Sequence, residues 1–251
     1  MLMLNKASVA TLCLLALVTF NTACKKDSTS NAPRKLKSYT EDVSALGVGH
    51  TVETFNITYD AQGRITSVVS TTKPGHKLVY NYINSDQFTF DRIEDDKVTL
   101  HSTYYINAEV SKIDSVYQYN IRKDTLSVKY LYNSDGQIIK EKEYLHSYLI
   151  PSPVWVNTVK YQYDLQGTLT KKSDDYYETS YRYDADYKNT VQLEPFYFPV
   201  QEQLPTHTYT QRFGTLITIV HTYTFDGDKR LISEKAVSSD GITTIRNYTY
   251  L

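Results

Sequence analysis

The feature that most constrains this chain is a short recurring motif: an aromatic residue, then Asp or Asn, two spacer residues, Gly, a polar residue and an aliphatic one. Its clearest copy, residues 163–169, reads YDLQGTL. An Asp side chain can accept hydrogen bonds from the backbone two residues further on, and Gly supplies the positive φ that reverses the chain. Strand-like segments flank the motif on both sides. Each copy therefore predicts a β-hairpin.

Related copies occur at residues 59–65 (YDAQGRI), 132–138 (YNSDGQI) and, more loosely, 225–231 (FDGDKRL). The separation between copies varies, so the repeat is irregular. On this pattern we predict structural turn positions at Asp60, Gly63, Asp135, Gly136, Asp164 and Gly167.

From about Thr51 onward the apolar residues recur with a period of two, which is typical of strands. Tyr-x-Tyr pairs start at residues 80, 117, 130, 161, 181 and 248. Residues i and i+2 lie on one face of a strand, so these pairs predict aromatic rows along a sheet. Turn signals divide the chain into about 13 to 15 short strands, without a convincing amphipathic helix. The predicted fold class is all-β: an antiparallel meander of consecutive hairpins that forms a curved or partly closed sheet.

The N-terminal segment has the composition of an export signal. Lys6 precedes an apolar run of about 14 residues, which suits a signal-peptide core better than a membrane span. Residues 21–24 (NTAC) then resemble the lipobox of bacterial lipoproteins. That resemblance implies a lipoprotein signal peptide over residues 1–23, acylation of Cys24 and an outer membrane location, on either the periplasmic or the cell-surface side. The alternative is an ordinary secretory signal in which Cys24 is incidental.

Polar sequence follows Cys24, and we predict a flexible tether over residues 24–48. Its first residues, KKD, resemble the export tags of Bacteroidota surface lipoproteins. A single antiparallel β domain with the hairpin motifs is predicted for residues 49–251. The two cysteines of the chain, Cys13 and Cys24, both precede this domain. Packing alone must therefore stabilise it, without disulfides.

The hairpin motif also resembles the YD repeats of Rhs and toxin-shell proteins, in which successive hairpins spiral into a curved sheet. The body as a whole resembles uncharacterised Bacteroidota lipoproteins with scattered YD-like hairpins. The resemblance implies a hairpin-built sheet. The function of a closed toxin shell is not implied, because such a shell needs many more repeats.

Charge and motif content exclude several classes of function. A net charge of −1 is not the basic footprint of a nucleic-acid binder, so no nucleic-acid partner is predicted. The six histidines are scattered, without a pair at metal-ligand spacing. Clustered carboxylates at Asp91, Glu94, Asp95 and Asp96 suggest glycosidase chemistry, but they fall at a predicted hairpin tip. We predict neither a metal site, a cofactor nor a catalytic residue.

Two aromatic segments are candidate ligand contacts. Trp155 is the only Trp, and two prolines precede it at a loop-to-strand junction. It could stack on a sugar ring, or it could be a core residue. Phe196 and Tyr197 lie in a proline-interrupted stretch, residues 191–204, that breaks the strand pattern. This stretch is predicted to plug an end or an open face of the sheet, or alternatively to grip a ligand.

The sequence favours a non-catalytic binding or structural β module that contacts the membrane through its acyl anchor and binds a glycan or an envelope protein. The alternative is a hydrolase of a polymeric glycan, with carboxylates brought together across strands. A membrane pore is disfavoured, because residues 140–143 (KEKE) place charge on both faces of one strand, whereas a lipid-facing surface must be apolar.

Overall fold

The computed structural model describes residues 35–45, 49–107, 111–120, 125–146, 152–184, 187–191, 193 and 203–251. All of them belong to one compact unit, Pro33–Leu251. Within these residues no helix is long and apolar enough to cross a membrane. The described part of the chain forms sixteen strands: β1 (Leu36–Ala45), β2 (Gly49–Tyr59), β3 (Ile65–Ser70), β4 (Lys77–Tyr82), β5 (Gln87–Glu94), β6 (Lys97–Asn107), β7 (Lys112–Asn120), β8 (Thr125–Tyr132), β9 (Ile138–His146), β10 (Val154–Tyr163), β11 (Leu169–Ser173), β12 (Tyr177–Arg182), β13 (His207–Arg212), β14 (Thr215–Phe225), β15 (Leu231–Ser238) and β16 (Ile242–Tyr250).

The sheet is a closed antiparallel barrel. Every strand pairs with the next one along the chain, and β1 pairs with β16 in a register that runs from Leu36 opposite Tyr250 to Ala45 opposite Ile242. The predicted all-β meander of hairpins is confirmed, and the sheet closes completely. Closure removes the exposed edges that an open sheet would present to other chains.

The β domain begins earlier than predicted. β1 occupies Leu36–Ala45, which lies inside the range assigned to a flexible tether, so that assignment is wrong from Leu36 onward. Its sequence is rich in Ser, Thr and acidic residues, and this composition hid the strand. Alternation is nevertheless present, because Tyr39 packs against the interior core while Thr40 bonds Thr54 on the other face.

Aromatic and aliphatic side chains fill much of the interior. Phe88 is fully buried and stacks on Tyr104, with ring centroids 4.6 Å apart. Burying a side chain of this size contributes about 1.5–3 kcal/mol. The buried cluster comprises Leu36, Ile57, Ile65, Val68, Tyr80, Phe88, Tyr104, Ile106, Ile113, Val116, Val128, Leu231 and Tyr248.

Tyrosine hydroxyls tie the two strands of a hairpin together at one end of the barrel, which we call the tyrosine end. Tyr163, the last residue of β10, donates to the carbonyl of Ile138, the first residue of β9, over 2.8 Å. The same bond recurs in the other hairpins, from a Tyr at or near the end of one strand to a carbonyl at or near the start of its hairpin partner. Its other donor and acceptor pairs are Tyr59–Leu36, Tyr82–Ile65, Tyr132–Ile113, Tyr183–Leu169, Tyr223–Pro205 and Tyr250–Leu231.

The motif turns lie at this same end and share one geometry. In the turn after β10, Asp164 Oδ1 accepts from the backbone N–H of Gln166 and of Thr168, and Gly167 has a φ of 80°. In the turn after β8, Asn133 makes the equivalent bonds. Asp135 lies in this turn, as predicted, but the side chain that accepts the bonds is that of Asn133.

The fourth motif copy, the looser one, forms the same turn without a Gly at the fifth position of the motif. Asp226 Oδ1 accepts from Asp228 and Arg230, so the position equivalent to Gly167 is Lys229. Lys229 has a φ of 60°. Gly227, the one Gly of this copy, does not have a positive φ.

The described part of the proline-rich stretch contacts the barrel core. Val191, Leu193 and Leu204 pack against the buried cluster. Thr190 Oγ1 accepts from the backbone N–H of Leu231, the first residue of β15. This segment thus adds apolar cover where β15 begins, at the tyrosine end.

Candidate binding surface

A row of aromatic side chains crosses the outer face of β6 to β10. Val116, Val128 and Val159 are buried and mark the inner faces of β7, β8 and β10. Residues of opposite parity therefore point outward, and directly paired residues share a face. The outer aromatic strip, as we name it, consists of Tyr105, Tyr117, Tyr119, Tyr144, His146 and Trp155.

Four rings of the strip are exposed, those of Tyr105, Tyr117, Tyr119 and Trp155, and some of its rings are in contact. Tyr105 and Tyr117 meet edge to face with centroids 5.8 Å apart, and Tyr117 lies 5.9 Å from His146. An open groove of about 440 Å³ follows β6 and β7. Its lining combines rings with hydroxyl and carboxylate groups: Thr103, Tyr105, Asp114, Ser115, Tyr117 and Tyr119.

Trp155 extends the strip onto β10. It is paired with Tyr144 of the neighbouring strand β9, and its side chain is 52% exposed. The indole N–H donates to Thr158 Oγ1 over 3.0 Å, which holds the ring along the strand. A β-bulge follows directly, between Trp155 and Asn157. The alternative prediction, that Trp155 is a core residue, is wrong.

Comparison with known proteins bears on the barrel as a whole. No protein-family model and no curated protein matches the chain. Among solved structures, a porin-like protein from Bacteroides vulgatus superposes with a TM-score of 0.61 at 16% identity, covering 87% of this chain and 99% of that one. A porin-like protein from Bacteroides uniformis gives 0.60 at 14% identity, with 86% and 96% covered. The barrel shares its fold with these porin-like proteins. At such identities the likeness concerns the fold alone.

Three of the predicted site residues lie outside the described residues, namely Cys24, Phe196 and Tyr197. The structure consequently places Trp155 alone among the predicted ligand contacts. The predicted turn residues Asp60, Gly63, Asp164 and Gly167 lie at the tyrosine end. The motif turns and the strip are therefore separate features of the barrel.

An ionic network on the inner face is the second candidate site. Arg246 on β16 contacts Glu41 on β1 over 3.0 Å and Glu234 on β15 over 3.5 Å. His221 on β14 also contacts Glu234, over 3.2 Å. Burial raises the pKa of the Glu234 carboxyl, but the hydrogen bond with His221 and the charge of Arg246 outweigh it, so this pKa lies below its usual value. Such a group is a poor general acid for glycoside hydrolysis, which needs a raised pKa.

The other ionisable candidates are dispersed. Asp95 and Asp96 form the tip between β5 and β6 with exposed side chains, whereas Asp91 lies within β5 and bonds His101 over 2.6 Å. Each histidine contacts a carboxylate or hydroxyl group of its own. Among the described residues, no group of three or more His, Cys, Asp or Glu side chains could hold a metal ion.

Sequence reasoning found Trp155 but not its tyrosine neighbours on the strip. Tyr117 and Tyr119 form a Tyr-x-Tyr pair like the others, so nothing in the pair itself separates them from the inner rows. A distinguishing signal lies just downstream. Inward-facing Tyr132 and Tyr163 are followed by Asn or Asp with a Gly three residues further on, whereas the Asn that follows Tyr119 has no such Gly.

Proposed function

We propose that this protein is an envelope-anchored, non-catalytic β-barrel that binds a glycan along the outer aromatic strip. The observation that carries the proposal is the strip itself, a set of aromatic rings held outward on β6, β7, β9 and β10. The envelope location is supported by the lipobox-like residues before Cys24 and by the porin-like fold.

The exposed rings of the strip differ from the aromatic residues that are buried in the interior of the barrel. Each Tyr or Trp can bury 150–250 Å² when it is covered, and large exposed apolar patches commonly mark interaction sites. Tyr105, Tyr119 and Trp155 remain 40%, 48% and 52% exposed. A ligand that covers them would recover this apolar contact.

The chemistry of the groove fits a sugar chain. Its tyrosine rings alternate with the hydroxyls of Thr103 and Ser115, beside the Asp114 carboxylate. Sugars present C–H faces that stack on rings and hydroxyl edges that need hydrogen-bond partners, and Tyr offers both kinds of contact. The five strands from β6 to β10 span about 19 Å at the usual spacing of strands, which suits a chain of sugar residues.

The alternative, hydrolysis of a polymeric glycan, receives less support. The inner-face carboxylates Glu41 and Glu234 both face Arg246, and Glu141 accepts a hydrogen bond from Tyr161. These contacts stabilise charged or bonded carboxylates, whereas hydrolysis needs one protonated acid beside a second, free carboxylate.

The test is the affinity of the full chain for soluble polysaccharides, measured for arabinoxylan, dextran and polygalacturonate. We expect at least one to bind, and Tyr117→Ala and Trp155→Ala each to weaken that binding about tenfold, the scale of a buried aromatic contact. Phe213→Ala is the control, because Phe213 is an exposed aromatic residue at the turn between β13 and β14, and β13 lies three strands beyond β10. The proposal fails if none of the three binds, or if binding survives both strip substitutions. Release of reducing ends by the full chain would favour the hydrolase instead.

A further inference from the structure

Four lysines form a ladder on the outer face of β8, β9 and β10, next to the outer aromatic strip. Lys129 on β8 pairs directly with Lys142 on β9, and Lys140 on β9 pairs directly with Lys160 on β10. We call these four residues the lysine ladder. Like charges directly opposite one another destabilise a sheet. This unfavourable arrangement occurs at two neighbouring pairs of lysines.

The nearest carboxylate to the ladder on this surface is that of Asp114, beside Ser115 in the groove, and among the described residues it forms no ion pair with Lys129. Beyond these two pairs, the residues opposite its members are uncharged: Ser115, Leu131, Thr158 and Ser173. The carboxylates of β9 alternate with its lysines and so point to the inner face, where Glu141 bonds Tyr161. Within the described residues, none of the four lysines has an ion pair.

Lys171 on β11 is a lysine of the outer face whose charge is neutralised by an ion pair. It contacts Glu178 of β12 over 2.5 Å. Glu178 lies diagonally opposite Lys171, two residues from its direct partner Ser180. Among the described residues, the ladder lysines have no such ion-pair partner. Their counter-charge must therefore come from solvent ions or from a ligand.

The ladder and the strip form one continuous surface. Lys142 and Tyr144 lie two residues apart on the same face of β9, and Lys129 is opposite Ser115, which lines the groove. A ligand with its rings on the strip would place its other groups over the ladder. Lys is depleted in the cores of protein–protein interfaces, so this surface is a poor match for a protein partner.

Building on the proposed function, we infer that the glycan is anionic: an acidic polysaccharide whose sugar rings stack on the outer aromatic strip while its carboxylate or sulfate groups contact the lysine ladder. Charge complementarity carries this assignment, because a neutral chain would leave the paired lysines uncompensated. The lysines would also speed association with a polyanion.

The test compares two forms of one polymer, polygalacturonate and its methyl ester, which share a backbone and differ in charge. We expect the full chain to bind the acid form about tenfold more tightly at low salt. The preference should disappear near 1 M salt, where the screening length falls to roughly 3 Å. The double variant Lys129→Gln with Lys142→Gln should lose the preference yet still bind the ester, whereas Lys171→Gln should retain it.

Each outcome separates this inference from the proposed function. Equal binding of the acid and ester forms, with both weakened by Trp155→Ala, overturns the anionic assignment and leaves a neutral glycan binder. Absence of binding to either form, together with arabinoxylan and dextran, overturns both. A ladder variant that loses adsorption to vesicles of anionic lipid, yet keeps its preference for the acid polymer, assigns the lysines to lipid headgroups and also overturns the inference.

Discussion

At the residue scale, the four motif turns show how one backbone position tolerates different side chains. Gly63, Gly136 and Gly167 occupy it with φ between 74° and 82°, and Lys229 occupies it with φ of 60°. A residue with a Cβ is strained in this left-handed region, whereas Gly is not. The position is thus defined by the hydrogen bonds of the preceding Asp or Asn and not by the glycine, which explains why the fourth copy, with Lys at this position, was recognised only as a looser match.

Lys229→Gly is therefore expected to stabilise the protein. Relief of left-handed strain outweighs the added freedom of the unfolded chain by roughly 0.5–1 kcal/mol. The free energy of unfolding from urea denaturation of the full chain measures the effect. Gly227→Ala serves as the control, with a change within about 0.5 kcal/mol, since Gly227 lacks positive φ and an added Cβ there meets open space. Destabilisation by Lys229→Gly would show that the turn is aligned differently.

At the scale of the element, the hairpins could be predicted from the sequence, but the contacts at their ends could be predicted only in part. The period of two and the Asp or Asn turn signals indicated strands such as β10 and β14 directly from local sequence. The tyrosine end was not predictable, because the Tyr163 hydroxyl bonds a carbonyl 25 residues away. β1 was missed because Ser, Thr and acidic residues occupy its outer positions.

The hydroxyl bonds of the tyrosine end are expected to contribute measurably to stability. Tyr163→Phe keeps the ring and removes the donor to Ile138, at a cost of about 1 kcal/mol. Tyr105→Phe removes an equivalent hydroxyl from the exposed strip and should change stability by less than about 0.5 kcal/mol. Urea denaturation of both variants distinguishes the two positions. Equal effects would mean that the tyrosine end is held by ring packing alone.

At the scale of the whole molecule, closure depends on contacts that local sequence does not encode. β1 and β16 come from opposite ends of the domain, and Glu41 contacts Arg246 across 205 positions of sequence. Sequence analysis consequently predicted a curved or partly closed sheet and could not decide between them. The outward direction of the strip depends on the same closure, which is why Trp155 was predicted as a ligand contact but Tyr117 was not.

The inner-face network should make stability depend on acid pH. The pKa of Glu234 is lowered in the folded protein, so its contribution is fully present above its usual value of 4.5 and is lost as pH falls through the lower folded value. The difference in unfolding free energy between wild type and Glu234→Gln should be constant from neutral pH to about 4.5 and shrink below it. The control is Glu178→Gln, which removes the exposed ion-pair partner of Lys171. Its unfolding free energy should differ little from that of the wild type at any pH. A Glu234→Gln difference that grows on acidification would contradict the network.

The most direct test of the account is the accessibility of Trp155 in the native full chain, because the function proposed here requires the aromatic strip to face outward beside the lysine ladder. Trp155 is the only Trp, so its fluorescence is assigned without ambiguity. Acrylamide should quench this emission in the folded protein, and anionic iodide should quench more strongly than cationic caesium, since the lysines attract anions. Addition of a bound polysaccharide should then protect the ring. Emission that becomes quenchable only on unfolding, or that caesium quenches as well as iodide, would contradict an outward strip flanked by the ladder.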